Sequence, residues 1–216
     1  MRDFVTVSFY ILFGFLSGSI FYCRLVPMLL VGKDVCALSD DKNPGAANVF
    51  IHCGVPMGLL CLALDMAKGA VPVALALRVL DPVRLSFAAV MAAPVLGHAL
   101  GVLNGGRGGK CIAVIFGVLI ALLGITPMGW VLAGIYIFFA GVLRVRPNSK
   151  CSILTFSLFA ACALGMGIVH RQYALALGAV ALSAISIVKH AKSAAALRAA
   201  AEEALAIASR ALSSAM

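Results

Sequence analysis

The chain has 216 residues, 63% of them hydrophobic and only 12% charged, with a net charge of +9. Soluble domains run about 45–50% apolar and roughly 25% charged, so this balance excludes an ordinary soluble globule and points to one all-α, polytopic membrane domain. The basic excess suits the cytoplasmic loops of a membrane protein, and no basic stripe with interleaved aromatics is present, which excludes nucleic acid as a partner.

A bilayer core takes roughly 20 apolar residues per helix. The first apolar stretch, 4–30, exceeds the roughly 7–15 residues of a cleavable signal core and predicts a retained span. A polar connector follows, and the second span, 55–77, carries Asp65 and Lys68 within it. Asp81-Pro82 marks the next turn and the third span is 85–103. Residues 112–143 are too many for one helix, and Gly124-Ile125-Thr126-Pro127 breaks them, because proline cannot continue a helix. A short fourth span and a fifth, 128–143, result. The sixth is 153–169, His170-Arg171-Gln172 turns the chain, and the seventh is 173–188. The division expected is a transmembrane domain over 1–190 and a tail over 191–216. The tail is Ala-rich, with Leu197, Leu205 and Leu212 near helical spacing among Arg198, Glu202 and Glu203. It reads as an amphipathic helix on the membrane surface or on the protein, or else as a frayed end.

Basic residues set the orientation. One side would hold Arg24, Lys33, Lys42, Arg107, Lys110, Arg144, Arg146, Lys150, Lys189, Lys192, Arg198 and Arg210; the other holds Arg2, Arg78, Arg84 and Arg171. The N-terminus is therefore expected outside and the C-terminus in the cytoplasm, with both glycine-bearing loops facing inward. The Cys, 7 in number, include no C-x-x-C pair and read as small buried hydrophobes.

Two loops carry most of the polarity. The first contains Asn43-Pro44-Gly45-Ala46-Ala47-Asn48, with Asp34, Ser39, Asp40, Asp41, Lys42 and His52 around it. Pro44-Gly45 signals a turn; Asn43 suits a helix cap, and Gly45 lets backbone N–H groups approach an anion. The second is Asn104-Gly105-Gly106-Arg107-Gly108-Gly109-Lys110, just ahead of an apolar helix. Its amides, the positive helix end and Lys110 together suit a phosphate. It is no Walker A loop: Asn104 stands at the first glycine and Cys111 at the hydroxyl position. Asp65 and Lys68, three apart in one span, suit a structural ion pair. His98 precedes the second loop; Ser149 and Ser152 flank Lys150; Arg24 reads as a side chain snorkelling from a span end.

In this order the motifs resemble the bacterial acyl-phosphate:glycerol-3-phosphate acyltransferases. That family's first motif reads Gly-Ser-Gly-Asn-Pro-Gly-Ala-Thr-Asn, closed by an arginine three residues on. Asn43-Pro44-Gly45-Ala46 and Asn48 match it, as do Gly18-Ser19-Ile20 upstream, Asp65-x-x-Lys68-Gly69, His98, Gly108-Gly109-Lys110, Ser149-x-x-Ser152, His190 and Glu202. Asp41 falls on the motif serine, Ala47 on its threonine, Ile51 on its arginine and Ser193 on an asparagine after the tail histidine.

The resemblance implies transfer of an acyl group from acyl phosphate to the 1-hydroxyl of glycerol 3-phosphate, in a bacterial cell membrane with the site facing the cytoplasm. No cofactor or metal is implied. An acyl phosphate is already activated, so the protein would position two phosphate-bearing substrates and stabilise the developing oxyanion. The catalytic candidates are His98, His190, Asn43 and Asn48. The substrate-binding candidates are Gly45, Gly108, Gly109, Lys110, Ser149, Ser152, Lys42 and His52. Asp65, Lys68 and Glu202 are expected to be structural. The departures leave two alternatives: a divergent relative with another acceptor or no activity, and a small membrane transporter.

Overall fold

The computed structural model describes residues 2–214, with side chains described for 3–196 and for 198, 199 and 202. Among the described residues all regular elements are helices. The first apolar stretch forms α1 (Arg2–Gly18) and α2 (Tyr22–Val31), joined at a break and bent by 44°. The sequence predicts one continuous span here; the break has a tertiary cause. Lys68 reaches across from the following long helix and its Nζ donates to the carbonyl of Ile20, inside the break. A backbone carbonyl freed from its ladder is thereby satisfied away from water.

The first polar connector is partly helical: α3 (Val35–Leu38) and α4 (Ala46–Cys53). Then come α5 (Val55–Ala76) and α6 (Ser86–Leu100), the latter extended by a tighter turn, Val102–Asn104. The fourth expected span is α7 (Ile112–Ala121), 10 residues, about 15 Å long against a hydrocarbon thickness of about 30 Å. The break at Pro127 is present, and α8 (Met128–Ile137) follows, continued by the wide turn Phe138–Val142. α9 (Asn148–Val169) starts ahead of the expected 153, because Pro147 sets up its first turn. α10 (Tyr173–Ser214) runs as one 42-residue helix. It carries both the span and the tail; Arg198 and Glu202 are exposed on it, and the side chains of Leu197, Leu205 and Leu212 lie outside the described residues.

Among the described residues, four helical segments are long and apolar enough to cross a membrane: Val55–Ala76, Ser86–Asn104, Asn148–Val169 and Tyr173–Ala196. The bent pair makes up to five. The chain is an integral membrane protein. Many large apolar side chains are exposed, among them Phe4, Leu29, Trp130, Ile168 and Val169, as a lipid-facing surface requires.

Small residues let the helices approach. A methyl on Gly18 of α1 would strike the Pro94 carbonyl of α6, and one on Gly97 of α6 would strike the Phe15 carbonyl of α1. Likewise Gly117 of α7 sits against the Met66 carbonyl of α5. Such contacts are the usual means of close packing where lipid gives no hydrophobic drive. The main core, including Phe87, Met91, Ile115, Leu119, Phe156, Phe159 and Leu182, lies where α5, α6, α7, α9 and α10 meet.

Candidate functional site

Two loops are brought together at one end of the bundle, and Arg24 is one of the side chains that tie them. Its Nη2 pairs with Asp34 Oδ2 at 2.8 Å, and its Nη1 donates to Asn104 Oδ1 at 2.6 Å. The snorkelling role expected for Arg24 is thus corrected: the break before α2 turns the side chain inward onto both loops. Asp34 also caps α3, accepting from the Cys36 amide at 3.0 Å. The Arg24 guanidinium holds the Asp34 carboxyl below its ordinary range.

Within the first loop, Asp41 is the organising side chain. Its Oδ1 accepts from Asn48 Nδ2 at 3.0 Å and from the Asn43 amide at 3.2 Å; its Oδ2 lies 2.7 Å from Lys110 Nζ of the second loop. Burial pushes this carboxyl up, but the bonds from Lys110 and Asn48 outweigh it and hold it below its ordinary value. Asn43 does not cap α4; Gly45 occupies the cap, and the Asn48 side chain donates back to the Asn43 carbonyl at 2.8 Å.

The second loop folds back on the end of α6. The Gly109 amide donates to the His98 carbonyl at 3.0 Å. A methyl on Gly108 would strike the Ala99 carbonyl, and one on Gly109 would strike the His98 ring at Nε2. From α10, Ser186 Oγ donates to the Lys110 carbonyl at 3.2 Å, and Lys189 Nζ donates to the Ala99 carbonyl at 2.9 Å.

Two chambers meet at the Asp41–Lys110 pair. One, about 530 Å³, runs inward between helices along Phe50, Leu62, Met66, Ile112, Phe116 and Tyr136, with Asn43, Gly45, Asn48, His98 and Lys110 also on its wall. The other, about 480 Å³, is lined by charged side chains: Lys42, Lys110, Lys189 and Lys192 together with Asp40 and Asp41, beside Gly108 and Ser193. An apolar slot of that size takes an alkyl chain, and a chamber lined by so many lysines takes an anion.

The other candidates divide. His190 is fully buried on α10, and neither ring nitrogen has a hydrogen-bond partner among the described residues. Ser152 is buried and its Oγ lies 2.8 Å from the Tyr136 hydroxyl, so it meets the apolar chamber through Tyr136. Ser149 and His52 line neither chamber; the His52 carbonyl instead accepts from Lys33 Nζ at 2.8 Å. Asp65 and Lys68 are buried 2.8 Å apart, and Asp65 reaches the wall of the apolar chamber. Glu202 stands exposed on α10. Lys189, Lys192 and Tyr136 escape a reading of the sequence. The close spacing of the two lysines around His190 was the available signal; Tyr136, within a uniformly apolar run, gave none.

A family profile described as glycerol-3-phosphate acyltransferase matches residues 8–200. The chain is 46% identical over 91 residues to a protein named glycerol-3-phosphate acyltransferase from Solidesulfovibrio magneticus, covering 41% of this chain and 45% of that one. It is 41% identical over 112 residues to a protein of the same name from Myxococcus xanthus, covering 52% and 58%. With the protein of that name from Roseiflexus sp. the match is 34% over 173 residues, covering 79% and 83%. The chain thus spans about half the length of the first two relatives and most of the third. A crystal structure of PlsY, an integral membrane glycerol 3-phosphate acyltransferase in its glycerol 3-phosphate form, superposes with a TM-score of 0.75 at 25% identity, covering 90% of this chain and 92% of that one. Its lysophosphatidic acid form shares the fold, with a TM-score of 0.73 at 24% identity over the same shares.

Proposed function

The chain belongs to the glycerol-3-phosphate acyltransferase family, and from that premise we propose that it moves a fatty acyl group from acyl phosphate to the 1-hydroxyl of glycerol 3-phosphate, giving lysophosphatidic acid. The observation that carries this reading is the meeting of the two chambers at Lys110: an apolar slot for the acyl chain beside a lysine-lined chamber for a phosphate.

In the reaction the acceptor hydroxyl oxygen attacks the acyl carbonyl carbon. The carbonyl carbon–oxygen bond to phosphate breaks, inorganic phosphate leaves, and the hydroxyl proton passes to a phosphate oxygen. The chain's residues would position and neutralise. Lys110 and the Gly108 amide would hold one phosphate, the Gly109 amide being already given to the His98 carbonyl, and Lys42, Lys189 and Lys192 would attract the other. Asn43, Asn48 and Gly45 would form the facing wall, with His98 the histidine on the chamber wall; His190 is fully buried, lines neither chamber and would act through neighbours. Ser149, Ser152 and His52 line neither chamber and would act through neighbours, Ser152 through the Tyr136 hydroxyl 2.8 Å away.

The site is proposed to face the cytoplasm of a bacterial cell membrane, in a chain of seven spans with its N-terminus outside; the seven apolar stretches and the bias of Lys and Arg support this. The exposed Arg198 and Glu202 support a cytoplasmic tail from 191 onward, continuous with the last span.

The test is a reaction of the purified protein, in detergent or nanodiscs, with acyl phosphate and glycerol 3-phosphate. Stoichiometric lysophosphatidic acid and inorganic phosphate are expected. Hydrolysis of acyl phosphate without acylated acceptor would overturn the acceptor assignment. Two observations favour a second reading, a relative with another acceptor or no activity: Asp41 already pairs with the Lys110 ammonium, and Ile51, at the motif arginine, is 74% exposed.

A further inference from the structure

His98 is 4% exposed, on the last turn of α6, with its ring stacked on Phe21 at 4.8 Å between centroids. Its Nδ1 lies 3.0 Å from Lys68 Nζ. That ammonium has two hydrogen-bond partners, His98 Nδ1 and the Ile20 carbonyl, and lies in ion-pair range of Asp65 Oδ1 at 2.8 Å. An ammonium donates and cannot accept. Nδ1 must therefore be the bare nitrogen and Nε2 must carry the proton.

Nε2 lies on the opposite edge of the ring, where it abuts Gly109, and it has no hydrogen-bond partner among the described residues. His98 is also part of the wall of the apolar chamber, beside Lys110. A donor is thus left free on the chamber wall, at the loop whose Gly108 amide and Lys110 suit an anion.

We propose that His98 is a fixed hydrogen-bond donor to the phosphate held at the Gly108-Gly109-Lys110 loop, not a general base, and that Lys68 is the positioning residue that fixes its tautomer. This deepens the reading above and rests on it for the nature of the ligand. A base must offer a bare nitrogen to the substrate, and here the bare nitrogen is turned away onto Lys68. The same arrangement gives the intramembrane ion pair a task besides holding the α1–α2 break. It also gives a reason for Gly109: any side chain there would cover the donor.

The test uses the intact protein in nanodiscs, labelled with ¹⁵N-histidine, with inorganic phosphate as probe and His98→Gln to assign the resonance. The His98 signal is expected to be that of the Nε2–H tautomer, and it should shift saturably with phosphate. An Nδ1–H signal, or an Nε2–H signal indifferent to phosphate, overturns the proposal. Neither readout needs turnover, so a protein inactive toward glycerol 3-phosphate would fail the functional reading and leave this one measurable. Asp65→Asn combined with Lys68→Met removes the ion pair without leaving an unpaired charge, and should mix the tautomers. Should that variant not fold, the wild-type spectrum still decides. For function, His98→Gln keeps an N–H near the Nε2 position and His98→Phe does not. The Kd for phosphate should rise roughly tenfold or more in His98→Phe and much less in His98→Gln; equal losses in the two overturn the donor role.

Discussion

At the scale of single residues, the Asp41–Lys110 pair decides most. A phosphate at Lys110 must replace or share with the Asp41 carboxylate 2.7 Å away. Asp41→Asn keeps the shape and the bond to Asn48 while removing the rival charge, so the Michaelis constant for the phosphate substrate should fall. A constant that rises instead means that Asp41 supports the site. Lys110→Ala should lower kcat/KM by roughly 10- to 100-fold, since a hydrogen bond to a charged group is worth about 1.5–3 kcal/mol. Lys110→Arg should not restore it fully, because the planar fork differs from a point charge; wild-type turnover in Lys110→Ala would remove the loop from the site. The pair also predicts a pH effect. The Asp41 carboxyl is depressed in the fold, so its contribution to stability is complete above the ordinary carboxylate value, about 3.9, and is lost as pH falls through the lower folded value. Melting in detergent should show a loss of stability on strong acidification that is smaller in Asp41→Asn.

At the scale of elements, close contacts between helices carry the packing. Gly97→Val would drive a branched side chain into the Phe15 carbonyl, and Gly117→Val into the Met66 carbonyl. Overpacking typically costs about 1–3 kcal/mol, so both should melt lower. A methyl on Gly165 of α9 would meet nothing within 4 Å, and Gly165→Ala should be neutral or stabilising, by up to about 1 kcal/mol. If all three behave alike, helix approach does not govern stability here. These elements also show what the sequence could tell. Pro127 and Asp81-Pro82 announced their breaks because proline acts locally. The α1–α2 break was invisible because its cause, Lys68 on the Ile20 carbonyl, comes from a helix 48 positions away. The start of α9 was hidden because Asn148, Ser149 and Lys150 look like loop. In the site, the glycines and Lys110 were legible as a phosphate loop. Asp41 as its internal partner was not, since ion pairing across 69 residues leaves no trace in spacing.

At the scale of the whole molecule, everything above requires both loops on the same side of the membrane. Arg24 enforces this, since one guanidinium bonds Asp34 of the first loop and Asn104 of the second. The side proposed rests on charge: Lys33, Lys42, Arg107, Lys110, Lys189 and Lys192 lie at that end, whereas Arg78 and Arg84 lie at the turn between α5 and α6, at the opposite ends of those helices. Positive residues stay in the cytoplasm, and the acceptor proposed above is a charged, water-soluble metabolite. Arg107 and Arg78 are both exposed, which makes them suitable reporters. In intact cells, Arg78→Cys should react with a membrane-impermeant thiol reagent above the level of the unsubstituted protein. Arg107→Cys should react only after the cytoplasmic face is opened, as in inverted vesicles. The reverse pattern would place the lysine-lined chamber outside the cell, away from both phosphate substrates, and would overturn the orientation together with the acyltransferase reading that depends on it.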